Sequence, residues 1–101
     1  MRYGLAMFGI NPVFLEDKDR FLQRITASGY RYLEPCWAMM SIPGLEKHLW
    51  TEADFAENMP LLKKYGVSVE SLHVFPQNLS DDLADILRVA KTYHIREVVI
   101  P

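Results

Sequence analysis

The chain has 101 residues, a length that suits one domain. Half of them are hydrophobic and 24% are charged, which excludes a disordered chain, and the formal charge of −2 is unlike a basic phosphate-neutralising protein. One cysteine excludes an internal disulfide, no apolar run approaches the roughly 18 residues of a membrane span, and no secretory signal opens the chain, so a cytoplasmic, reducing setting is expected.

Residues 2–8 (RYGLAMF) form a short apolar run that predicts a first strand. Asn11-Pro12 then predicts a turn. Over residues 17–28, Phe21, Leu22 and Ile25 recur at helical spacing behind acidic residues, and Gly29 marks the stop. Residues 30–34 (YRYLE) predict a second strand. The connection from Pro35 to Trp50 is interrupted by Pro43-Gly44 and reads as a long loop with room for one helical turn.

Thr51 with Asp54 three residues on approximates a capping box for a helix over 52–65, ended by Gly66. Pro60 should kink that helix. Residues 67–74 predict the third strand. Ser80, Asp81 and Asp82 open a helix over 81–93, and residues 95–100 predict the fourth strand. Each helix-to-strand corner repeats one pattern, with His94 standing where the earlier corners have Gly29 and Gly66.

The order is β-α-β-α-β-α-β in a single unit over 1–101. Helical crossovers make neighbouring strands parallel. Two α/β architectures accept this order: the N-terminal half of a (βα)8 TIM barrel, or an open doubly wound, flavodoxin-like sheet. Both bind ligands at the carboxyl ends of their strands. Glu34 and His73 close the second and third strands there, behind Leu33 and Leu72. A carboxylate and an imidazole at that mouth could hydrogen-bond hydroxyl groups or a metal-bound water, the alternative being a buried structural ion pair. Trp37 and Phe8 could add aromatic walls against a sugar ring, or simply pack.

Cys36 has no base near it in sequence and reads as a packed thiol. His48 and His94 take no role. Glu70 shares the parity of Leu72, so simple alternation turns it toward the helices. The five glycines stand apart, without a phosphate loop, and there is no CxxC, HExxH or GxSxG.

Four segments, MRYGLAMF, GYRYLE, KKYGVSVESLHVF and AKTYHIREVVIP, resemble the xylose-isomerase-like TIM barrels. That family comprises sugar and sugar phosphate isomerases and epimerases together with the endonuclease IV branch. The resemblance runs the length of the chain, and departs at His94, at Pro35-Cys36-Trp37 and at Pro60. It implies proton transfer beside a sugar carbonyl, with a divalent ion (Mn²⁺ or Mg²⁺, with Zn²⁺ as a further option) held by strands five to eight. On that reading the 101-residue chain is a truncated half, inactive alone, with no metal ligands of its own. Its share would be substrate binding by Glu34, His73, Trp37 and Phe8. In the endonuclease IV branch the residue matching His73 binds metal, but the −2 charge weighs against DNA as a partner. A non-catalytic half-barrel that binds a sugar-like ligand, or pairs with a second copy into a homo-oligomer, is the alternative from another class.

Overall fold

The computed structural model describes residues 3–100. Strand β1 (Tyr3–Ala6) is followed by helices α1 (Asn11–Glu16) and α2 (Lys18–Ala27). Strands β2 (Tyr30–Glu34) and β3 (Cys36–Ala38) come next, then helix α3 (Glu52–Lys64), strands β4 (Ser68–Val69) and β5 (Ser71–Phe75), helix α4 (Leu79–Thr92) and strand β6 (Glu97–Val99). A turn of 3-10 helix, Glu46–His48, sits in the long connection before α3.

Asn11-Pro12 opens a helix instead of a turn. Proline is accommodated in the first helical turn because no partner is needed there for an N–H. The chain breaks at Asp17, whose side chain then accepts from Arg20 N at 3.1 Å and caps α2. At α3 the capping box is complete: Thr51 Oγ1 accepts from Asp54 N, and Asp54 Oδ2 accepts from Thr51 N. Pro60 stays inside α3. Asn78 caps α4, two residues ahead of the expected Ser80. All three corners take left-handed backbone, Gly29 at φ 98°, Gly66 at φ 70° and His94 at φ 56°.

All strand pairs are parallel. One sheet runs β1-β2-β4, the other β3-β5-β6. The two are stages of the same pair of chain segments, since β3 continues β2 past Pro35 and β5 continues β4 past Glu70. Backbone hydrogen bonds carry the ladder across both breaks, from His73 N to Pro35 O and from Glu97 N to Glu70 O, each 3.1 Å. The segments therefore neighbour one another in chain order.

Below the break Leu33 faces Val69; above it Cys36 faces His73. The third segment thus spends one residue more than the second across this gap, as a bulge does. In consequence Val69 and Leu72, three apart, are both buried. They join a single apolar cluster with Leu33, Val74 and residues from every helix, among them Phe14, Leu22, Phe55 and Ile86. Among the described residues, no helix is long and apolar enough to cross a membrane.

Candidate functional site

Glu34 is the last residue of β2, beside Ala6 of β1, and its carbonyl accepts from Met7 N at 2.8 Å. His73 lies mid-way along β5, flanked by Cys36 and Val99. The ladder that runs on across both breaks brings the two side chains together. His73 Nε2 stands 3.1 Å from Glu34 Oε1, with 37% and 30% of the side chains exposed. The pair is neither sealed in the core nor freely solvated, and a ligand can reach it.

Beside it lies a cleft of about 240 Å³ whose walls include Gly4, Ala6, Tyr32, Glu34, Glu70 and Ser71. Glu70 is therefore on the cleft side, not toward the helices as simple alternation required. The bulge is the reason: it resets the parity between Val69 and Leu72. The Ser71 hydroxyl oxygen is buried with no hydrogen-bond partner among the described residues, an unused donor and acceptor beside the cleft.

Cys36 is buried in the strand next to His73. Burial pushes its thiol above the usual cysteine range, and the Glu34 carboxylate pushes it further the same way. The thiol is held neutral, as a packed group would be.

The other two expected site residues stand elsewhere. Trp37 is in β3, not in a loop, because the strand resumes after Pro35. It is buried and sets its ring edge-on to Phe55 of α3 at 6.0 Å, within the core. Phe8 is exposed past the end of β1 and does not line the cleft. It stacks on His48 at 5.2 Å, while His48 Nδ1 donates to the Phe8 carbonyl at 2.7 Å. His48 thereby helps tie the long connection to the end of β1. Asn11 is a second tie: buried, it donates to Lys47 O at 2.7 Å and accepts from Trp50 Nε1 at 2.8 Å.

No group of three or more His, Cys, Asp or Glu side chains is disposed to hold a metal ion among the described residues. Glu34 and His73 supply two ligating atoms turned to each other, so these residues do not fit a metal centre by themselves. Comparison with models of known protein families, with curated proteins and with solved structures finds no match.

Proposed function

We propose that the chain is the N-terminal four-strand portion of a (βα)8 barrel that isomerises or epimerises a sugar or sugar phosphate, and that Glu34 and His73 hold the substrate's hydroxyl groups. The observation that carries this reading is the 3.1 Å contact between them on two neighbouring parallel strand segments, beside an open cleft. Two further features support it. Strand segments adjacent in chain order are those of a barrel, whereas a flavodoxin-like sheet places its first strand between the second and third. The helices also contribute to one apolar cluster, and Glu34, Glu70 and Tyr32 gather at one open cleft.

In this role the facing atoms of the pair fix one another's side chains. Glu34 Oε2 and His73 Nδ1 then remain to accept sugar hydroxyls, and the Tyr32 ring offers an apolar surface to a sugar ring. Proton transfer and the divalent ion belong to the strands that complete the barrel. The test is an NMR titration of the chain with a ketose and its phosphate. Amide shifts at Glu34, Glu70 and His73 are expected, and they should vanish in Glu34→Gln and His73→Ala. Shifts that survive both substitutions would remove the pair from the site.

A second reading, a non-catalytic half that pairs with its own copy, draws on a different feature. Leu79, Leu83 and Leu87 recur every four residues along α4 and are 46%, 43% and 57% exposed. Three leucines at that spacing make one apolar stripe in water.

A further inference from the structure

At the amino ends of the strands, away from Glu34 and His73, an open cavity of about 930 Å³ lies where α3 and α4 finish. Met59, Pro60 and Val67 give it an apolar wall, Tyr93 adds an aromatic ring, and Lys63 and His94 bring the polar groups. Among the described residues neither the Lys63 ammonium nor the His94 imidazole makes a hydrogen bond or ion pair. The neighbouring cations do otherwise: Lys64 approaches Asp19, and Lys18 pairs with Glu57.

His94 is also the one corner residue whose backbone works against it. At φ 56° it holds the left-handed conformation that Gly29 and Gly66 adopt at the equivalent corners. Glycine takes that conformation without cost, whereas a histidine is strained by it. Strain kept at a position where glycine is the easy choice, with the side chain lining a cavity, is a mark of use.

We propose that this cavity binds a small amphipathic monocarboxylate. Its tail lies on Met59, Pro60 and Val67, and its carboxylate is shared by Lys63 and His94. One ammonium and one imidazole match the two oxygens of a single carboxylate. The carbonyl ends of α3 and α4 converge on the same place and oppose any negative charge, so the single Lys63 ammonium can offset one carboxylate charge but not the two of a phosphate dianion. An organic cation is repelled by Lys63.

Octanoate is the probe, titrated into the intact chain by calorimetry and by amide chemical shifts, with octylammonium and octanol as controls. Saturable binding of octanoate alone is expected, with shifts at Lys63, Val67 and His94. Lys63→Met should weaken it about tenfold, the loss expected for a charge-assisted contact. His94→Gly should weaken binding while raising the melting temperature, because it removes the contact and the strain together. Glu34→Gln should leave octanoate binding unchanged, which separates this site from the strand-end cleft. Absence of saturation at millimolar octanoate, equal binding of octanol or octylammonium, or full affinity in His94→Gly would each overturn the proposal.

Discussion

The ring of Tyr32 in β2 covers Gly4 in β1 so closely that a side chain at position 4 would overlap its Cε2 and Cδ2 atoms. Gly4 is needed here for space and not for backbone freedom. Gly4→Ala should push the ring off β1 and alter the cleft that both residues line. Overpacking of this kind costs about 1–3 kcal/mol. Chemical denaturation of Gly4→Ala measures the loss. An unchanged midpoint would mean that the ring moves aside freely.

Asn11 joins the long connection to α1 by two hydrogen bonds, a part-buried one to Lys47 O and a buried one from the Trp50 indole. Asn11→Ala removes both and leaves the Trp50 indole N–H buried without a partner. A loss of about 1–3 kcal/mol is expected. Tryptophan fluorescence during urea unfolding provides the readout, since Trp50 sits at the affected contact.

The Glu34–His73 pair should matter little to stability. Both side chains are about a third exposed, and such pairs contribute at most about 1 kcal/mol. Glu34→Gln is therefore expected to fold normally, with a denaturation midpoint close to that of the parent. A large destabilisation would identify the pair as structural.

Arg88 joins α4 to α3 through Glu52, with Nη1 2.7 Å from Oε1. The hydrogen bond from Arg88 is the largest influence on the Glu52 carboxyl and holds it below the usual range. A carboxyl lowered in the folded state stabilises the protein above its unfolded pKa, and that contribution disappears as pH falls through the folded value. The stability gap between the parent and Arg88→Ala should thus be present at neutral pH and close on acidification below the ordinary glutamate range. Both groups are about half exposed, so the gap should be small and should shrink in salt.

Cys36 combines burial with a thiol raised out of its usual range. Iodoacetamide should label it slowly in the folded chain and quickly in urea. Rapid labelling at neutral pH would contradict a packed, neutral thiol.

Light scattering addresses the leucine stripe on α4. If a second copy covers Leu79, Leu83 and Leu87, the chain is a dimer and Leu83→Glu restores the monomer. A monomer at every concentration removes that reading.

Much of this arrangement is legible in the residues because the signals are local. Thr51 and Asp54 announce their helix by a capping box, and Gly29, Gly66 and His94 mark three corners. Glu34 and His73 are expected to close neighbouring strands; they do lie on neighbouring strands, but the strands run on past both, to Ala38 and Phe75. What escaped depends on partners far along the chain. The helix at Asn11-Pro12 and the strand from Cys36 to Ala38 are short, carry little local signal and are held by tertiary contacts: Phe14 and Trp37 are both core residues. Tyr32 over Gly4 has no local signature at all. Glu70 did carry one: Val67 and Val69 alternate, then Leu72 and Val74 alternate one step out of phase. That phase slip is the bulge.

The extra residue at the bulge gives the chain's length, as well as its composition, a hold on the cleft. Removing either Glu70 or Ser71 would leave every side chain above the break identical in kind. Without that residue the gap would be three on both segments, so plain alternation would keep Leu72 in the core with Val69 and leave His73 opposite Cys36. The bulge is thus an insertion that the ladder absorbs: a single-codon deletion there should keep the Glu34–His73 pair and remove only one of the two residues, Glu70 or Ser71, that the bulge adds to the cleft wall.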